Sequence, residues 1–179
     1  NGANGTWDSV VAMKGGEVKN LTIAGAMRGV FMPGANGDVI IDNCEFKDVI
    51  YTFNSDAGSK EHTVAIKNTT LNGWTSFSDM HKSVTFDNCE FGEGSGYAFC
   101  RPYQATTFTD CTFKNGFELD TSKTAKNTLV FNGCTYNGEA LSAENNAMFY
   151  NGGKVVIDGK NTNVNSYEIV STYEELLAA

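Results

Sequence analysis

The chain has 179 residues, 41% of them hydrophobic, and carries 13 basic against 21 acidic side chains for a formal net charge of -8. Its basic residues are scattered, which excludes the clustered phosphate-tracking surface that nucleic-acid binding requires. No apolar run reaches the roughly 20 residues of a bilayer-crossing helix, so no membrane insertion is expected, and the length fits one domain with a continuous core.

Residues 1–17 predict an N-terminal cap. Asn1 to Thr6 is rich in Gly and Asn and reads as loop. Trp7, Val10, Val11 and Met13 are too irregularly spaced for a helix or strand, and Gly15-Gly16 closes the segment. Their expected use is to cover the first coil of a stack of repeats, because an open stack end exposes unpaired strand edges.

From residue 18 to 160 the chain repeats one phrase. Its clearest copy is Val84-Thr85-Phe86-Asp87-Asn88-Cys89-Glu90-Phe91, matched earlier by Val39 to Phe46 and Val64 to Leu71. Later copies run from Thr106 to Phe113 and from Leu129 to Tyr136, with weaker ones at Leu21 to Met27 and Val155 to Gly159. With Ile23, Ile41, Ile66, Phe86, Phe108, Phe131 and Ile157 as markers, the copies recur every 18 to 26 residues. A repeat of this length with variable insertions marks a solenoid.

Within each copy the apolar residues alternate with period 2, as on one face of a strand. Between Phe86 and Cys89 the spacing is three, so the chain must turn a corner there to keep both apolar pairs inward. The corner position holds Asn43, Asn68, Asn88, Asp110 or Gly133 in the strong copies and Gly25 or Gly159 in the weak ones. Those residue types tolerate a left-handed backbone at low cost. Each coil therefore reads as strand, bend, strand, followed by a variable stretch that forms a third side. Aromatic-rich segments at 29–32, 49–53, 74–77, 97–100, 117–119 and 148–150 supply that side, and the polar stretches 54–63 and 137–146 read as its longest loops.

Residues 161–179 form a C-terminal segment. Ser171 to Glu174 has capping-box spacing and opens a short helix through Ala179, expected to cap the stack or link to a neighbouring domain of a longer protein.

Strand, Asn-type corner and strand, repeated at this interval, resemble the right-handed parallel β-helix of the pectin-lyase-like superfamily, which carries an Asn stack at one turn. The expected fold is all-β, a single right-handed parallel β-helix of about six or seven coils plus the short C-terminal helix. Cys44, Cys89, Cys111 and Cys134 share one repeat position with Thr69 and Ala26, a small inward slot in which reduced Cys serves as a buried apolar residue. Cys100 falls outside that column. No C-x-x-C pair or Cys/His cluster marks a metal site.

The resemblance implies two classes of function. As a polysaccharide lyase or glycoside hydrolase the chain would place carboxylates on adjacent coils, with Ca²⁺ as the one cofactor to expect if it is a lyase. Here Asp42 and Asp87 stand two coils apart with Lys67 between them, roughly 9.6 Å along the axis, and Thr70 separates Glu45 from Glu90. That is too far for a retaining pair and at the far edge for an inverting one, and reads better as a surface charge ladder. The best enzyme reading then uses the loop residues Arg101, His81, Lys82 and Tyr103, with Arg and Lys on a uronate carboxylate and His, Tyr or Arg taking the α-proton.

As a rigid display module, in the manner of phage tail spikes and fibres, virion decoration proteins and bacterial adhesins, it would hold a glycan on aromatic side chains. Trp74, Tyr97, Tyr103, Tyr51 and Tyr150 are the candidates, because sugars present apolar faces together with hydroxyls. This reading implies an extracellular, virion-surface or bacterial-surface location. Its partners are the rest of a larger assembly and a cell-surface or other polysaccharide, with oligomer formation open. An ice-binding face through Thr70, Thr112 and Thr135 is interrupted by Glu45 and Glu90. The structural, adhesive reading is preferred.

Overall fold

A computed structural model describes residues 8–92, 99–114, 117–119, 128–142, 145 and 154–162. The chain winds through three sheets in turn, and each strand pairs in parallel with the strand one coil earlier. The first sheet runs Ser9–Ala12, Arg28–Met32, Tyr51–Ser55, Trp74–Phe77, Phe99–Arg101, Glu118–Leu119. The second contains Gly16–Lys19, Val39–Asp42, Thr63–Lys67, Ser83–Asp87, Thr106–Thr109, Thr128–Asn132 and Lys154–Ile157. The third contains Thr22–Ala24, Glu45–Lys47, Thr70–Leu71, Glu90–Phe91, Thr112–Phe113 and Thr135–Tyr136. The fold is thus a parallel β-solenoid, all-β among the described residues, and the expected C-terminal helix lies outside them.

Among the described residues, six parallel rungs in the first and third sheets make about five turns, against the six or seven coils expected from the sequence. The last copy begins a hairpin rather than another coil. Lys154–Ile157 turns back through Asp158 and Gly159, at φ 46° and 77°, into the antiparallel strand Lys160–Thr162. Asn137 and Gly138, at φ 51° and 86°, do the same between Thr135–Tyr136 and Glu139–Ala140. Asn-Gly and Asp-Gly with two positive φ angles are the pattern of two-residue hairpin turns. These turns give the second and third sheets antiparallel last strands at their C-terminal edges.

The first coil also differs from the sequence reading. Val18, and not Ile23, pairs with Ile41, while Ile23 pairs with Phe46 in the third sheet. The corner of that coil is Asn20 at φ 57°, and Gly25 at φ 64° sits at the next corner along. Leu21, 43% exposed, replaces Ala26 in the slot column of this coil. The chain also enters the stack before residue 18: Ser9–Ala12 is itself a rung, with Ser9 opposite Arg28 and Val11 opposite Val30.

Corner geometry follows from the backbone. Asn43, Asn68, Asn88 and Asp110 have φ between 49° and 51°, and Gly133 has φ 62°. The amides are linked along the axis: Asn43 Nδ2 donates to Asn20 Oδ1 at 2.8 Å, Asn68 to Asp42 Oδ1 at 2.8 Å, and Asn88 to Asn68 Oδ1 at 2.9 Å. At Gly133 a Cβ would collide with Asp110 Oδ1, so the ladder leaves no space for a side chain there.

Inside, Phe86, Phe108 and Phe131 stack in one file and Phe91 and Phe113 in another, with centroid separations of 4.7–5.0 Å along each file. Cys44, Cys89, Cys111 and Cys134 are buried and free. Each thiol bonds the carbonyl two residues back, at 3.3–3.5 Å, and Thr69 Oγ1 makes the same bond at 2.7 Å. The slot thus selects for small size and a donor together. Thiol contact with Cys111, followed by burial, pushes the Cys134 thiol far above the ordinary range. That suits a packing residue and not a nucleophile.

Candidate functional site

In the second sheet, strands such as Thr63–Lys67 alternate buried and half-exposed residues. The first sheet differs, because Tyr51–Ser55 and Trp74–Phe77 are buried at every position after the first. Its outer face is therefore recessed, and the recess is a groove of about 580 Å³ lined by Arg28, Tyr51, Asn54, Asp56, Trp74, Ser76 and Ser78.

Register builds this groove. Arg28, Tyr51 and Trp74 occupy one file on successive rungs, and Phe31, Asn54 and Ser76 occupy another. The Tyr51 and Trp74 rings stack at 5.0 Å and 22°. The Arg28 guanidinium lies 4.1 Å from the Phe31 ring centroid, a cation–π contact that fixes it at one end. The groove therefore holds a stacked aromatic pair, a fixed cation, an amide, a carboxylate and hydroxyls within one recess.

Of the residues singled out from the sequence as sugar contacts, Tyr51 and Trp74 come together in this groove. Tyr103 is half-buried and packs on the core instead. Tyr97 and Tyr150 lie outside the described residues. Arg28, Asn54, Asp56, Ser76 and Ser78 were not anticipated. A signal for Arg28 was available, since residues 28, 51 and 74 are spaced at a constant interval in the sequence.

The residues considered for an elimination reaction are placed differently. His81, read from the sequence as a loop residue able to meet a substrate, is 2% exposed. Its Nε2 is 2.9 Å from Ser55 Oγ, its backbone N–H donates to Gln104 Oε1 at 3.2 Å, and its ring meets Phe77 edge-on at 5.9 Å. The Nδ1 atom is buried with no hydrogen-bond partner among the described residues. Lys82 is exposed, and its backbone N–H bonds the carbonyls of Ser59 and His62. Arg101 sits opposite Ser76 in backbone register. Among the described residues no group of three His, Cys, Asp or Glu side chains is arranged to hold a metal ion.

Burial lowers the His81 pKa from its ordinary value, with the Asp79 carboxylate opposing in part. A His held neutral in the fold binds fewer protons than in the unfolded chain, so its contribution to stability is complete above the unfolded pKa of about 6.5 and is lost as pH falls. Thermal denaturation should show the melting temperature falling between pH 7 and pH 5, and His81→Gln should flatten that slope. An unchanged slope in the variant would mean that other groups carry it. Asp38 acts in a separate window: the hydrogen bond from the Thr63 backbone lowers its pKa, so its contribution disappears only in stronger acid.

No protein-family model, curated protein or solved structure matches the chain. Sheet order and register define its class directly, as a parallel β-solenoid with a recessed aromatic groove on its first sheet.

Proposed function

We propose that the chain is a structural and adhesive β-solenoid module of the pectin-lyase-like kind, which holds a glycan in the groove of its first sheet. The observation that carries this is the Tyr51–Trp74 platform, set among amide, carboxylate and hydroxyl groups. Stacked aromatics cover the apolar faces of sugar rings, and the surrounding polar atoms meet their hydroxyls. A rigid stack of parallel rungs suits display on a virion or bacterial surface, within a larger assembly.

The reading as a lyase or hydrolase draws less support, because His81 is internal and the repeat-position acids stand apart. Both readings meet in one experiment: the chain is exposed to a glycan panel that includes uronate polymers, with mass spectrometry of the soluble products. Retention without cleavage is the expected result. Trp74→Ala should weaken that retention at least about tenfold, with the melting temperature changed by no more than a few degrees, about what a half-buried surface residue is worth. Product release would overturn the adhesive reading, and full retention by Trp74→Ala would move the binding site away from the groove.

A further inference from the structure

The second sheet presents an outer face whose charges are ordered along the axis. Lys19, Asp42, Lys67 and Asp87 succeed one another on successive rungs in a single outward file. Beside them run Ile40 and Ala65, half-exposed and opposite one another in register. A ladder of alternating sign would be expected to pair within the molecule. Asp87 and Lys67 stand directly opposite in register, yet neither side chain makes a hydrogen bond or ion pair with any described residue. Asp42 accepts a bond from Asn68, and Lys19 turns to Glu17 at 2.9 Å.

In the order plus, minus, plus, minus, reversing the file opposes every charge to one of the other sign. Turned by a two-fold axis lying along the strands between the second and third rungs, the file becomes its own complement. Lys19 then meets the partner's Asp87, and Asp42 meets the partner's Lys67. Each pair occurs twice by symmetry, as an isologous contact requires. The same operation brings Ile40 against the partner's Ala65, so the centre is apolar and the charged file flanks it.

We propose that the outer face of the second sheet is a homodimer interface, with a second copy of this chain as its occupant in the opposite axial direction. Four overlapping rungs span only about 19 Å at the usual ~4.8 Å spacing, so the contact is small and reversible, at the weak end of specific interfaces. Crowding of copies on a surface would raise its occupancy through effective concentration.

Sedimentation equilibrium of the purified chain from about 10 μM to about 1 mM covers the affinity expected of such a contact. A reversible monomer–dimer equilibrium that weakens with added salt is the expected result, because rim charges are screened. Asp87→Lys sets two ammonium groups face to face and should weaken dimerisation about tenfold or more, as should Lys19→Asp. The double variant K19D/D87K restores opposite signs at each facing position and should recover the wild-type constant to within about threefold. Melting curves of all three check that the monomer still folds. Monomer at every concentration, or a dimer indifferent to Asp87→Lys, would overturn the proposal. So would a double variant no better than the singles.

Discussion

Phe108→Ala should cost about 3–5 kcal/mol of folding stability, the range for removing a fully buried aromatic ring. Phe108 is 0% exposed and lies between Phe86, at 5.0 Å and 5°, and Phe131, at 4.7 Å and 2°. Phe91 and Phe113 meet it edge-on from the third sheet, at 5.8 and 5.6 Å. Loss of the ring therefore opens a gap with aromatic walls above, below and beside it. Those walls belong to rungs held at fixed spacing by backbone hydrogen bonds, so the gap cannot close by collapse. Domains of this size are usually stable by only about 5–15 kcal/mol, and the variant would be left near the margin. Denaturant unfolding at matched m-values measures the cost. Val130→Ala, on the outer face of a neighbouring strand, should lose less than about 1 kcal/mol. Equal losses in the two variants would mean that the aromatic file does not carry the core.

Sequence periodicity made the solenoid legible because burial in a parallel stack imposes the same requirement on every rung. Ile41, Ile66, Phe86, Phe108 and Phe131 must all be apolar, and a residue between Asn and Gly in character must come next at the bend. Errors arose where that requirement changes. In the first coil only one neighbour constrains the pattern, so Leu21 can occupy the slot column while exposed, and the copy was placed one strand late. At the C-terminal end Gly159 was read as one more corner, although Asp158-Gly159 is also the signature of a tight antiparallel hairpin.

The groove was half legible. Tyr51 and Trp74 attract notice as aromatics on the third side, whereas Asn54, Ser76 and Ser78 are ordinary polar residues whose value comes only from register. His81 was misplaced for a related reason. A loop His reads as solvated until the coil above and the coil below are known, and here they supply Ser55 and Gln104.

Gly73 joins the fold to the groove, and its replacement by alanine should damage both. Its φ is 146°, a region that side chains with a Cβ rarely enter, at a cost of about 1–3 kcal/mol for the backbone alone. A Cβ at this position would also stand 2.5 Å from the Val49 carbonyl oxygen, with Thr52 Cγ2 and Val49 Cγ2 at 3.2 Å. The first of those atoms is backbone of the neighbouring rung and cannot swing away. The next residue is Trp74, and the register of its strand slips between Trp74 and Thr75 as it pairs with Tyr51–Ser55. Relief of the clash must therefore move the start of the strand that sets Trp74 over Tyr51. Gly73→Ala is expected to lose about 3 kcal/mol or more and, at temperatures where it remains folded, to retain glycan no better than Trp74→Ala. Gly34→Ala is the matching control, since a Cβ there meets nothing within 4 Å and the φ is not positive. It should leave both properties unchanged. A folded Gly73→Ala chain with full glycan retention would show that Trp74 is held in place by its stack on Tyr51, and that the glycine serves the turn alone.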